Sequence, residues 1–374
     1  MPLLLLIVAA LLNLVFIGLE VYLWREWYLY KELDEAYARQ CLAAALVLTA
    51  YLLFIGRMLT ARLLGKQRKG EDEPDFERSS EREELMRPDG TLINIEFYGE
   101  KDKPAIIFLH GWNSNSLQWY YQKKYFAKDY RLIFVDLAGL GRTSRPANND
   151  YSLEKLAADL QAVIEKTSPK DPVLWGHSMG GMTVLTFCKM YSEQLSKIKG
   201  IILQHTTYTN PTKKILYDRL FTAIQELLIK PLCRLIILLS PLLQAIRAFS
   251  YLNGTMFMMV RIMVFAGTQS RKQLEFASRV AATAAPAVTA RGVLAMLKYD
   301  ASDVLPCIPV PVLIIAGDGD KLTKAEASRT MHKSIPGSQL VTVSPGGHLS
   351  MIERHGEVNK AANSFLKVLQ TAST

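Results

Sequence analysis

The sequence is poor in cysteine, with four in 374 residues: Cys41, Cys188, Cys233 and Cys307. No two stand close together and none has metal-ligand spacing, which excludes a cysteine-built metal site and leaves free thiols expected in buried apolar surroundings. No dinucleotide or P-loop pattern occurs. Gly139 and Gly141 form neither, and their expected role is a tight turn, so no metal or organic cofactor is implied. Although the formal net charge is +9, the basic residues are scattered. No Lys/Arg block alternates with aromatics, which excludes a nucleic-acid groove. A basic chain with apolar segments suits an anionic membrane surface better. There is no internal repeat and no low-complexity tract.

What is plentiful is apolar residue, at 49%, and the excess is local. It sits in the first sixty residues and from about Phe221 to Ala266. Leu3 to Leu19 carries no charge and only Asn13 as a strongly polar interruption. With its flank to Trp24 it covers a hydrocarbon core about 30 Å thick. Tyr22, Trp24, Trp27, Tyr28 and Tyr30 crowd one end like an interfacial belt. MPLLLL has no basic leader and VYLWREW no small-residue cleavage site, so a span is expected in place of a signal peptide.

A second run, Cys41 to Gly56, is slightly short, with Arg39 and Arg57 placed to snorkel. Two spanning helices, about 3–24 and 41–61, are expected in an N-terminal unit of residues 1–65. The basic cluster after the second span puts the rest of the chain on the cytoplasmic side. Residues 66–84 are charged and read as a solvated linker, with a globular domain over 85–374.

In that domain strand-like runs alternate with helical patterns: Thr91–Tyr98, Ala105–Leu109, Arg131–Val135, Val173–Trp175, Gly200–Gln204, Pro311–Ala316 and Gln339–Val343. Several are continuously apolar, as in strands covered on both faces. Leu153 to Ile164 shows a helical stripe with Ser152 as N-cap. The fold class is α/β, a mostly parallel sheet with helices on both faces.

Gly176, Ser178 and Gly180 form GxSxG between a buried strand and a helical run. In that setting small neighbours let a serine take a strained, exposed elbow and act as nucleophile, with His177 shaping the turn. Attack on an ester carbonyl builds charge on oxygen, which calls for preorganised N–H donors. Met179, after the serine, supplies one. His110-Gly111-Trp112 ends the strand AIIFL, and the Trp112 backbone is placed to supply the other.

These motifs, with DLAGLGRTS (Asp136–Ser144), PVLIIAGDGD (Pro311–Asp320) and PGGH (Pro345–His348), resemble those of the α/β-hydrolases from about Leu85 to the C-terminus. The resemblance implies an acid three residues after Gly317, which is Asp320, with Asp318 as rival. It also implies a base at His348 after the last strand. His110 and His177 are left structural roles, and His205, His332 and His355 lack the base's placement. A serine at the elbow separates the chain from the carboxylate-nucleophile members, epoxide hydrolases and haloalkane dehalogenases.

Such a fold carries a cap, here about 206–300, and its stretch Ile224–Phe249, with Met256–Phe265, is unusually apolar. Pro231 and Pro241 break it, making it a poor spanning helix and a good interfacial one. The whole resembles membrane-bound monoacylglycerol lipases and carboxylesterases. It implies a membrane-anchored serine esterase acting on lipid or other hydrophobic esters. HGW is also similar to that of cofactor-free haloperoxidases and perhydrolases, and a ligand-binding receptor on the same fold is a third reading.

Overall fold

Among the described residues eight strands build one sheet: β1 (Arg82–Met86), β2 (Leu92–Tyr98), β3 (Ala105–Leu109), β4 (Arg131–Val135), β5 (Val173–His177), β6 (Gly200–Gln204), β7 (Val312–Gly317) and β8 (Gln339–Val343). They lie in the order β1-β2-β4-β3-β5-β6-β7-β8. The computed structural model describes residues 2–67, 72–210 and 224–371, and only the backbone of 2–10. β1 and β2 run antiparallel to their neighbours and the rest are parallel. β3 to β7 are buried along their whole length, which is why they read as mostly apolar runs without a polar alternation. β1, REELM, is charged and mostly exposed at the sheet edge, so no apolar pattern marked it.

Helices pack on both faces. α1 (Pro2–Tyr30), α2 (Glu35–Ala50) and α3 (Gly56–Leu64) precede the sheet. α4 (Tyr120–Phe126), α5 (Leu153–Thr167) and α6 (Met179–Met190) lie within it in sequence. Ser152 caps α5 by accepting from the Lys155 N–H at 3.2 Å. The cap region supplies α7 (Lys230–Leu238), α8 (Ser240–Leu252), α9 (Thr255–Val264), α10 (Arg271–Thr283) and α11 (Pro286–Met296). Pro231 and Pro241 stand in the first turns of α7 and α8, where a missing N–H costs nothing. α12 (Ala325–Ser334), α13 (Ser350–Glu353) and α14 (His355–Thr371) complete the chain. The expected cap includes residues 211–223, which lie outside the described residues.

Three expectations are corrected. The second apolar run does not form a short helix of its own: α2 passes through a π-turn at Tyr51–Ile55 into α3, giving a continuous helix Glu35–Leu64 of 30 residues. That helix is long and apolar enough to cross a membrane. The stretch read as solvated linker is laid on the domain from Asp72 onward. Phe76 stacks on Phe276 with centroids 5.0 Å apart, and Arg78 reaches Glu96 at 2.6 Å and Asp136 at 3.1 Å. Residues 68–71 of that stretch lie outside the described residues. Cys307 is exposed, because it ends a short turn ahead of β7 and faces no packed layer; the other three cysteines are buried.

Asn13, which read as an interruption, is fully buried. Its side chain donates to Ser250 Oγ and accepts from Asn253 Nδ2, so α1 is fastened to the end of α8. Gly56 lies against the Asn253 backbone, where a Cβ would meet its carbonyl. The N-terminal helices and the cap therefore share one packed face.

Candidate active site

Each expected site residue comes from the carboxyl end of a parallel strand, the edge where open α/β sheets bind ligands. Ser178 follows β5 directly and opens α6. Its backbone sits at φ 52°, ψ −118°, a conformation that side-chain-bearing residues rarely adopt and that costs on the order of 1–3 kcal/mol. Surrounding bonds hold it there. The Ser178 N–H donates to the Gln204 carbonyl at 3.0 Å, and Thr206 Oγ1 donates to the Ser178 carbonyl at 2.6 Å. The glycines are needed for close approach: a Cβ on Gly176 would stand 2.6 Å from the Gly180 carbonyl oxygen, and one on Gly180 would meet the Leu109 carbonyl. Met179 is buried in the first turn of α6, where backbone N–H groups have no helical acceptor.

The loop after β3 lies against this elbow. A Cβ on Gly111 would stand 2.6 Å from His177 Nδ1 and 3.2 Å from Ser178 Cβ. Gln118 bridges the two segments, accepting from the Gly111 N–H at 3.3 Å and donating to His177 Nδ1 at 3.1 Å. That fixes the His177 tautomer, whose Nε2–H donates to the His348 carbonyl at 2.9 Å. Burial, then the neighbouring His348 and His205, hold His177 well below the ordinary histidine pKa. His110 is likewise held neutral by burial, with Nε2 accepting from the Leu137 N–H at 2.9 Å. The ring nitrogens of both side chains are thus engaged with backbone groups or with Gln118. The Trp112 ring points into the cap: Nε1 donates to the Thr289 carbonyl at 3.0 Å, and Gly292 lies directly on the ring.

His348 Nδ1 meets Asp320 Oδ2 at 2.9 Å. Asp320 is buried, and its Oδ1 accepts from the N–H groups of Leu322 at 2.8 Å and Thr323 at 3.0 Å. Burial opposes its ionisation, but the two imidazoles His348 and His205 outweigh this and hold the carboxyl well below the usual range. The rival Asp318 accepts from the Gly346 N–H at 3.0 Å and from Ser344 Oγ. Its carboxylate is therefore spent on the turn, and Asp320 alone of the two meets His348. The His177 bond brings His348 beside the residue preceding Ser178. The turn expected at Gly139 and Gly141 is present, both with positive φ. A Cβ on Gly141 would collide with the Asp136 carboxylate, which accepts the Ser116 N–H at 2.8 Å.

Two site residues escaped sequence reasoning. His205 was weighed only as a base, yet its Nδ1 lies 3.1 Å from Asp320 Oδ2; its place just after β6 was the available signal. Glu353 is buried and accepts from the N–H groups of Ala266, Gly267 and Gly347, joining the cap segment between α9 and α10 to the loop of His348. No sequence pattern marks it. Among the described residues no cluster of His, Cys, Asp or Glu could hold a metal ion.

A family model described as the alpha/beta hydrolase fold matches residues 104–226 and 249–355, and the chain belongs to that family. It is 25% identical over 289 residues to epoxide hydrolase 3 of Xenopus tropicalis, covering 75% of this chain and 76% of the other. Among solved structures it is similar to an esterase from Exiguobacterium antarcticum, at 25% identity and TM-score 0.62, over 76% of this chain and 98% of that one. A bromoperoxidase from Bacillus anthracis shares the fold at 22% identity and TM-score 0.63, over 77% and 100%. The protein is thus an enzyme of the α/β-hydrolase class.

Proposed function

We propose that this chain is a membrane-anchored serine hydrolase that cleaves carboxylic esters of hydrophobic acyl chains, monoacylglycerols among them. The observation that carries the reading is the strained Ser178 elbow beside a buried His348–Asp320 pair. His348 takes the Ser178 proton as the hydroxyl adds to the ester carbonyl. The Met179 and Trp112 N–H groups receive the developing oxyanion, and Asp320 holds the imidazole tautomer and stabilises its charged form. The alcohol leaves with a proton from His348, and water, deprotonated by the same imidazole, releases the acid from the acyl-enzyme.

Serine at the elbow also separates ester from epoxide chemistry. A carboxylate nucleophile opening an epoxide leaves an ester, which water cleaves. A serine would leave an ether, which water does not cleave, and turnover would stop after one event.

Two features support a membrane and an apolar substrate. The helix Glu35–Leu64 leaves Val47, Phe54 and Leu63 largely exposed, and the cap presents Leu228, Leu238 and Leu242 outward. Such a surface is costly in water and favourable in an interface. Lys66, Arg68 and Lys69, which follow the second helix in sequence, favour a cytoplasmic catalytic domain.

The test is labelling of Ser178 by a fluorophosphonate, lost in Ser178→Ala, together with an acyl-chain series of esters and monoacylglycerols assayed on membranes. If the wild type hydrolyses no ester of any chain length, the reading fails; a preference for short soluble esters removes the lipid substrate. The HGW loop supports a second chemistry on the same acyl-enzyme, with peroxide in place of water, which peracid formation measured beside hydrolysis separates.

A further inference from the structure

Arg247, on α8 of the cap, is buried and has no ion-pair partner among the described residues; burial alone draws its pKa down to about 10. A desolvated guanidinium without a carboxylate is expensive, so its placement calls for an account. Its Nη1 donates to Asn113 Oδ1 at 3.1 Å and to the Ala284 carbonyl at the end of α10. Asn113 directly follows Trp112 and holds the left-handed backbone conformation at φ 60°. Thr289 Oγ1 donates to the same Oδ1 at 3.0 Å, and the Thr289 carbonyl accepts from Trp112 Nε1 at 3.0 Å. The loop His110–Asn113 is thus held from below by Gln118 and from above by two cap helices, α8 and α11.

We infer that Arg247 is a positioning residue for the oxyanion loop, acting through Asn113 to aim the Trp112 N–H at the reacting carbonyl oxygen. The inference rests on the serine-hydrolase reading above. Two properties suit it. The guanidinium binds Asn113 and the end of α10 together, which fixes the cap and the loop as one unit. Its positive charge, with no ion-pair partner among the described residues, is bonded to the residue next to Trp112, and burial strengthens that bond. The N–H of residue 112 then has the required direction only while α8 is seated.

The variant to measure is Arg247→Gln in the full-length protein. Loss of one oxyanion donor typically lowers kcat by about 100- to 1000-fold, and a misaimed donor is expected to lose at least about 10-fold with KM changed by less than about 3-fold. Affinity for a trifluoromethyl ketone, whose adduct on Ser178 carries the oxyanion, should fall in proportion to kcat. Affinity for the parent methyl ketone should stay within about 3-fold. Asn113→Ala should reproduce the loss, and the double variant should add little to either single one. Unchanged kcat, equal weakening of both ketones, or additive losses would overturn the inference. Should R247Q fail to fold, Thr289→Val removes the other donor to Asn113 Oδ1 and carries the same test. A wild-type protein that fluorophosphonate does not label points instead to failure of the underlying functional reading.

Discussion

One oxygen of Asp320, Oδ2, faces two imidazole nitrogens: Nδ1 of His348 at 2.9 Å and Nδ1 of His205 at 3.1 Å. Burial alone would raise this carboxyl, and the two rings reverse that to hold it well below its ordinary value. A carboxyl depressed in the folded state adds stability that is present above its unfolded pKa, about 3.9, and is lost as pH falls through the folded value. Asp320→Asn should therefore be less stable than wild type near pH 7, with the deficit shrinking below about pH 4. Thermal denaturation of both proteins from pH 7 to 3 measures it, and a deficit constant across that range would refute the linkage. The same variant should lose about 10³- to 10⁴-fold in kcat, since an amide favours the wrong tautomer of His348.

Ser178 stores strain that glycine would not. At φ 52°, ψ −118° the serine side chain disfavours its own backbone, whereas glycine adopts this region freely. Ser178→Gly and Ser178→Ala should both abolish ester turnover and fluorophosphonate labelling. Only the glycine variant should gain stability, by about 1 kcal/mol once its greater unfolded-state entropy is subtracted. Equal melting temperatures for the two variants would show that the elbow is relaxed.

How far the sequence revealed this site depends on whether a residue acts through local geometry or through contacts distant in sequence. GxSxG betrays itself because the tight elbow admits only small neighbours, and Gly176 and Gly180 both lie against backbone that a Cβ would strike. The buried strands were legible for the same local reason: two covered faces demand continuous apolar runs. β1 was not, because an edge strand of Arg and Glu carries no such demand. Asn13 looked like a blemish in a span, since its partners Ser250 and Asn253 lie more than two hundred residues away. His205 and Glu353 were missed for that reason too. The family spacing already favoured Asp320 over Asp318, and the turn at Ser344–Gly346, which occupies the Asp318 carboxylate, adds a physical reason that the sequence did not carry.

Glu353 binds three backbone donors from two segments with no basic side chain among them: the N–H groups of Ala266, Gly267 and Gly347. Removing it leaves buried N–H groups without acceptors, at about 1–3 kcal/mol each. Glu353→Ala should therefore destabilise the protein by at least about 3 kcal/mol and slow labelling of Ser178, because Gly347 precedes His348. Glu353→Gln, which offers one acceptor oxygen in place of two, should fall between the two proteins. Denaturant unfolding with parallel labelling rates checks both effects. Wild-type labelling in Glu353→Ala would show that this carboxylate has no part in placing His348.

Asn13 is the hinge on which the membrane reading meets the fold. In a free spanning helix, exchange of a lone asparagine for leucine improves insertion. Here Asn13 Nδ2 donates to Ser250 Oγ while Asn13 Oδ1 accepts from Asn253, both at the end of α8, and leucine would strand these partners in a buried apolar contact. Asn13→Leu should thus lower the melting temperature of detergent-solubilised protein, by the equivalent of about 1–3 kcal/mol. It should remain in the membrane fraction after carbonate extraction. Ser250→Ala combined with Asn13→Leu should cost less than the sum of the two single changes, because each removes the same bond. An unchanged melting temperature in Asn13→Leu would mean that α1 and the cap are not packed together in the folded enzyme.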